Sequence, residues 1–466
     1  MWYKTPMIKK FFAFFQSLLN LDPGDIGVGV TLHRSLNLVI WSVCFGIIFF
    51  NITTGFPLAG FARELGFGDF LYAVMLAMPV LGGTVQIVAS LVLERKRNRK
   101  AIFLWSLLVN RFPWILVAFS PFFIGTRGVL FLTLVVSLTI SSIGGAFTNV
   151  SFLSWMGDLV PLEVRGRFFG HRTMIATVAA LISGLVVGKL LDTMAGISGF
   201  AFVFALASIA GLMELFFFAQ TYDPPMTVSS LGESPALAFR EILCCRPFWK
   251  FLFFVITWNF AVNVASPFFN LYMLKHLHMD FFQIAFYVQV ISNVATLFFV
   301  RVWGRLTDRF GNKPVAVLST TVAIFLPLIW CYTTSQNWIV VVPIIQTLAG
   351  VFWPGIDLTT NNLLLKLSPK ENRSLYVGVL NFFLGTFGIA FAYLVGGYVL
   401  EKVVPLVSSF VGTTFGWQIN PYYYVFFLSS FLRFLSCMIF LSKVEETGAQ
   451  SLCVVLRETC RTRREK

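Results

Sequence analysis

Twelve long apolar runs, separated by short polar stretches, organise the chain. They fall near 36–58, 69–93, 101–122, 128–156, 169–191, 199–220, 248–273, 281–304, 314–333, 338–364, 375–400 and 421–442. A helix needs about 20 mainly apolar residues to cross the hydrocarbon layer, and each run meets that length. Backbone groups in lipid must be paired inside a helix or a closed barrel, and the alternating pattern of a membrane barrel is absent. The pattern predicts an all-α integral membrane protein with twelve transmembrane helices. One further apolar stretch, 11–19, is too short to cross and lacks a small-residue cleavage pattern. It fits either a helix lying in the interface, with Phe11, Phe14, Phe15, Leu18 and Leu19 on one face, or an apolar lead-in to the first span.

Composition agrees with this pattern. Hydrophobic residues make up 57% of the 466 and charged residues 12%, with 54 Phe along the whole length. A soluble surface takes about 25% charged residues, so a water-soluble protein is excluded. In such a protein the net charge of +14 would point to nucleic acid. Here the cations sit in loops and mark topology, and no nucleic-acid partner is expected. Twenty-seven Lys and Arg lie on the side that carries both chain ends, against five on the other (Arg63, Arg127, Lys189, Lys275, Lys402). Both termini are therefore expected in the cytoplasm of a multi-pass cell-membrane protein, with the short loops favouring a prokaryotic inner membrane. The seven Cys show no paired spacing, and His276 and His278 are too few for a metal site. No Walker loop or nucleophile–base arrangement occurs, so we expect no cofactor, no metal and no enzymatic activity.

The two halves of the chain repeat one another. Pro161, Glu163, Arg165 and Gly170 recur as Pro369, Glu371, Arg373 and Gly378, an offset of 208. Gly188 maps onto Gly396 at the same offset, Pro57 onto Pro267, and Asp69 onto Asp280. The stretch from Ser90 to Asn98 maps onto Gly304 to Asn312 at offset 214, and 202–208 resembles 424–430 at offset 222. Matches in one order, with a small drift, imply two six-helix bundles, 36–220 and 248–442. The Pro- and Ser-rich linker 221–247 joins them, behind a cytoplasmic segment 1–35 and ahead of a basic tail 443–466.

The loop Gly304-Arg305-Leu306-Thr307-Asp308-Arg309-Phe310-Gly311-Asn312-Lys313, its copy around Glu94 and Arg95, and Pro161-x-Glu163-x-Arg165-Gly166 resemble motifs of the major facilitator superfamily. The first-half copy departs at Ser90, Glu94 and Arg97, where Gly, Asp and Gly are usual. The resemblance covers almost the whole chain. It implies two bundles, with the first, fourth, seventh and tenth helices lining a central cavity that opens to either side in turn. It also implies a cytoplasmic gate of Glu94, Arg95, Asp158, Asp308 and Arg309, in which Arg95 or Arg309 pairs with Asp158. Lys366 stands where the second half would need the matching acid, so that gate is asymmetric or Glu371 substitutes.

Charges inside spans cost about 2.5–3.5 kcal/mol in lipid and should face protein or water. Asp357 lies nine residues before Lys366, roughly 13 Å into the membrane at 1.5 Å per residue. Pro354 and Gly355 just ahead are expected to free backbone groups towards the cavity. A carboxylate there suits proton coupling or substrate contact; a structural ion pair is the alternative. Its repeat counterpart is Asn149. Further cavity candidates are Asn51, Thr54, Trp258, Asn259, Asn263, Trp353 and Asn381, any of which could instead join helices by hydrogen bonds worth about 0.6 kcal/mol. Arg111, Glu214 and Arg433, on helices expected to be peripheral, read mainly as structural.

The expected function is secondary active transport of a small organic solute by alternating access, with a proton as the expected coupling ion, by a monomer in the lipid bilayer. A passive uniporter and a non-transporting sensor or membrane enzyme are the alternatives. The charge asymmetry makes one direct prediction. A reporter fused at either end should be active only in the cytoplasm, and opposite locations for the two ends would overturn the even number of crossings.

Overall fold

The computed structural model describes residues 30–446 except 97, 195, 226–241, 369–372, 416–418 and 445. The stretch 11–19, most of the 221–247 linker, Arg97, Glu371 and the basic tail lie outside the described residues, as does the side chain of Glu94. Among the described residues there is no strand, and twelve helices are long and apolar enough to cross a membrane. They are α1 (Leu32–Glu64), α2 (Asp69–Leu93), α3 (Arg99–Phe123), α4 (Arg127–Leu159), α5 (Leu162–Thr193), α6 (Gly196–Ala219), α7 (Arg246–Lys275), α8 (Phe281–Phe310), α9 (Asn312–Cys331), α10 (Trp338–Leu367), α11 (Leu375–Phe410) and α12 (Pro421–Lys443). Every predicted span is present. The hydropathy windows underestimate several, because helices run on past the hydrocarbon. α5, for instance, starts just after Pro161 rather than at 169, since Pro161 takes the position before the first helical turn.

Local sequence explains the breaks. Gly55 interrupts α1 at φ +68°, between Thr53 and Phe56. Gly311 ends α8 at φ +92°, where its amide bonds the Thr307 carbonyl at 3.0 Å. A side chain is strained in that conformation, which is why the loop motif asks for glycine there.

Contacts divide the chain into two compact units, Met1–Phe61 with Gly82–Ser229 and Ala62–Leu81 with Ser230–Lys466. The first is centred on Phe103, Trp155 and Phe218, with Phe103 and Phe218 edge to face at 4.6 Å. The second is built around Phe248, Phe251, Trp258 and Tyr376, with Phe248 and Tyr376 4.7 Å apart. The duplication would leave 62–81 with the first bundle. By contact this segment groups with the second-half helices, for reasons given below.

Small residues set the closest approaches. A methyl group built on Gly396 of α11 would lie 2.1 Å from the Val264 carbonyl of α7, so the two backbones touch at this glycine. Replacing Gly396 with Leu should destabilise the second unit by about 1–3 kcal/mol or more, seen as a lower melting temperature of the detergent-purified protein. An unchanged melting temperature would mean that α7 and α11 do not meet here.

Candidate functional site

The polar side chains within the spans fall into two groups. Asp357 on α10, Asn149 on α4, Asn381 on α11 and Thr54 at the α1 break are exposed. Asp357 forms no ion pair or hydrogen bond with a described residue. Asn361, one turn further along α10, is exposed on the same face.

Other cavity candidates are occupied in joining helices. Asn51 donates to the Ala180 carbonyl at 2.7 Å and to Ser183 Oγ at 2.9 Å, tying α1 to α5. Trp258 is 3% exposed and meets Trp353, itself half-buried, edge to face at 6.4 Å. Asn259 donates to its own helix at Val255 (2.9 Å). Asn263 donates to the Asn259 carbonyl at 2.8 Å and the Gly388 carbonyl of α11 at 3.4 Å. The expectation that these residues face an open cavity is therefore corrected for Asn51 and Trp258. For Asn259 and Asn263 the shared face looks towards α11. Helical spacing shows which residues share a face; it cannot show what that face touches.

The backbone groups freed by Pro354 do not open to a cavity either. α10 stays helical through it. Pro354 has no N–H for the Gly350 carbonyl, and the Thr296 hydroxyl of α8 bonds that oxygen at 3.1 Å instead. Trp303 Nε1 donates to the Val351 carbonyl at 2.5 Å. The Thr296 side chain from α8 thus replaces the missing ladder bond, and Trp303 adds a second bond beside it.

Arg111 and Glu214, considered separately from sequence, are partners. Arg111 Nε and Nη2 reach Glu214 Oε2 at 3.1 and 2.5 Å, and Nη1 donates to Asn110 Oδ1 at 2.6 Å. The guanidinium also stacks 3.8 Å from the centre of the Phe49 ring. Gly211 of α6 leaves the room, since a methyl group there would lie 2.6 Å from Arg111 Cδ. At offset 222 Gly211 becomes Arg433. Arg433 is 3% exposed, donates from Nη1 to the Ala323 carbonyl of α9 at 2.7 Å, and lies 5.9 Å from the Trp353 ring centre. Each half thus lodges an arginine between its third and sixth helices, from opposite helices, and among the described residues only the first half supplies a carboxylate.

At the loop motifs the structure changes the assignment. Asp158 pairs with Arg99, while Arg95 is exposed. Arg99, 1% exposed, also bonds Asp223 at 3.0 Å and the Pro224 carbonyl at 2.6 Å. Arg165 Nη2 caps the end of α4 through the Gly157 carbonyl at 2.6 Å. In the second half Asp308 and Arg309 are exposed, with Arg309 lying over Phe310. The acid that answers Lys366 is Glu446, just beyond α12. It accepts from Lys366 Nζ at 2.5 Å, the Lys313 amide at 2.6 Å and Asn312 Nδ2 at 2.7 Å. Burial raises the Glu446 carboxyl, and those hydrogen bonds outweigh it, holding the group below its ordinary range. Glu446 lies 80 residues from Lys366, so no local pattern announces it.

A second cluster, unassigned from sequence, explains why 62–81 groups with the second half. Asp69 meets Lys275 Nζ at 2.9 Å and the Tyr422 hydroxyl at 3.0 Å. Arg63 Nη1 donates to the Leu274 carbonyl at 3.0 Å, and the Phe70 amide to Glu401 Oε2 at 3.1 Å. Its repeat mate Asp280 instead caps α8 in a reciprocal box with Gln283. The Asp69–Asp280 match was visible in sequence; the divergence of their roles was not.

Replacing Arg99 with Ala leaves Asp158 and Asp223 without their shared cation and should cost on the order of 3 kcal/mol in thermal unfolding. Arg95→Ala, at an exposed position, should stay within about 0.5 kcal/mol. Equal losses would restore Arg95 as the partner.

The family model of the Major Facilitator Superfamily matches residues 38–393 and 290–452. The chain is 26% identical over 291 residues to a class H tetracycline resistance protein of Pasteurella multocida, covering 60% of this chain and 68% of that one. It is 24% identical over 323 residues to the multidrug resistance protein MdtG of Proteus mirabilis, covering 64% and 73%. A bacterial homologue of the human lysosomal transporter Spinster, inward-facing and unoccupied, superposes with a TM-score of 0.63 at 14% identity over 90% of this chain and 100% of that one. The D-xylose–proton symporter superposes at 0.60 with 15% identity, over 89% and 98%. These two likenesses speak for the fold, and the family match for membership: the chain is a multi-pass membrane protein of the major facilitator superfamily.

Proposed function

We propose that this protein is a secondary active carrier that moves a small organic solute by alternating access, with a proton as the coupling ion bound at Asp357. The observation that carries the reading is the exposure of Asp357 on α10 without a protein partner. An ionised group in hydrocarbon is costly and is found facing protein or water. Since no described residue neutralises it, Asp357 faces water, within a span. A carboxylate that reaches water from within a span can exchange a proton with it, as coupling requires.

Asn149 supports the same reading, because the repeat puts an exposed amide at the equivalent depth of α4. Asn361, Asn381 and Thr54 add neutral hydrogen-bonding groups. On the second unit, one carboxylate with neutral amides at Asn361 and Asn381 suits a small organic solute better than a multivalent anion. The relatives named for tetracycline and multidrug resistance favour export as the direction. Both termini are assigned to the cytoplasm from the charge asymmetry, and the working unit to a monomer.

The test is flux into proteoliposomes under an imposed pH gradient. The parent should concentrate its solute, and Asp357→Asn should lose at least tenfold in concentrative flux while keeping exchange down a solute gradient. Concentration by the Asn variant equal to the parent's would assign coupling elsewhere, and absence of flux by the parent would favour a sensor of the same fold.

A further inference from the structure

The first unit has a groove of about 520 Å³ lined by α2, α3 and α4. Its walls and floor are Val92, Ile102, Trp105, Val109, Ile143 and Phe147, with Lys96 and Asn98 at one end. Trp105 is 69% exposed and forms a wall that nothing in the unit covers. We propose that this groove binds one anionic phospholipid, with an acyl chain along the apolar slot and the headgroup phosphate on Lys96.

Three observations carry this beyond a generic apolar surface. First, the floor is dry. Ser106 donates to the Phe103 carbonyl at 2.9 Å and shares a 3.0 Å bond with Thr148, so it has no need of a polar ligand. The slot is fit for hydrocarbon along its length. Gly144 deepens it: a methyl group there would lie 2.6 Å from the Asn110 amide nitrogen, so α3 and α4 touch backbone to backbone beneath the groove.

Second, the length matches one leaflet. From Asn98 to Val109 the slot follows eleven residues of α3, roughly 16 Å at 1.5 Å per residue. That is about half of a hydrocarbon core of about 30 Å. A lipid tail of a single leaflet fills this depth; a solute that crosses the membrane needs a longer path.

Third, the charge is at the correct end. Asn98 is occupied, since its side chain caps α3 by accepting from the Ala101 amide at 3.2 Å. Arg99 and Lys100 are held inside the unit, Arg99 by Asp158 and Asp223 and Lys100 by the Thr221 carbonyl at 2.7 Å. Lys96 is exposed and lies where the slot reaches the loop. A lysine near an anionic lipid surface favours it by about fivefold. Zwitterionic lipid offers the same tail with no net charge for Lys96.

The experiment uses the full chain in bilayers doped with brominated phosphatidylglycerol or brominated phosphatidylcholine. Bromine on the acyl chain quenches a neighbouring indole, and the Trp105 signal is the difference between the parent and Trp105→Phe. We expect about fivefold tighter quenching by the phosphatidylglycerol, with the preference abolished in Lys96→Gln. Ala101→Phe, which fills the slot beside Ile102, should remove site-specific quenching by both lipids while the other tryptophans report an intact fold. Equal quenching by the two lipids, or a preference that survives Lys96→Gln, overturns the headgroup assignment. Quenching unchanged in Ala101→Phe overturns the groove.

Discussion

Hydrocarbon offers no hydrogen bonds, and this one constraint shapes how polar groups are placed in the spans. Several of them find a partner within their own unit. Asn51 does so on α5 and Arg111 on Glu214. The Gly350 carbonyl released by Pro354 does so through Thr296. Asp357 differs from these groups in being exposed, with no ion pair or hydrogen bond to a described residue.

The duplication preserves places more faithfully than chemistry. Both halves seat an arginine between the third and sixth helices, but Arg111 arrives from α3 and Arg433 from α12. Both halves tie the segment leaving the last helix to the ends of the third and fourth helices. In the first a single cation, Arg99, holds two acids; in the second a single acid, Glu446, gathers Lys366, Lys313 and Asn312. The sign of the hub is inverted while the joint is retained. Such exchange is possible because a hydrogen-bonded ion pair is satisfied equally well whichever helix contributes the cation.

This also marks what could be read from the sequence. The twelve spans, the two-fold repeat and the glycine turn at Gly311 follow from hydropathy, spacing and backbone sterics, all of which are local. The gate was legible only as a concentration of charge. Arg95 stands in the last turn of the helix Gln86–Lys96 and Arg99 opens the next helix, and nothing local says which of the two faces Asp158. Glu446 was out of reach because its partners are distant in sequence. Asn51 and Trp258 looked like cavity residues because polar and aromatic side chains within a span are ambiguous until the opposing helix is known. For Asp357 and Asn149 the repeat supplied a second, independent indication of depth.

The same constraint bears on where the molecule can yield. α10 might have been expected to bend at Pro354, yet α8 braces it there, so Asp357 is carried on a supported helix. Departures from α-helical winding occur instead in α8 and α11, which contain π-helical turns at Ala285–Ile291, Leu384–Ala390 and Val399–Val403. A π turn shifts the hydrogen-bond ladder by one residue and is found mostly as an isolated insertion, often near functional sites. One of these turns presents the Gly388 carbonyl to Asn263 of α7. The amide face of α7 thus seats a compliant stretch of α11 against a regular helix. Changing that winding would alter a side-chain hydrogen bond without stranding the backbone in lipid, whereas bending α10 at Pro354 would first have to break the bonds from Thr296 and Trp303.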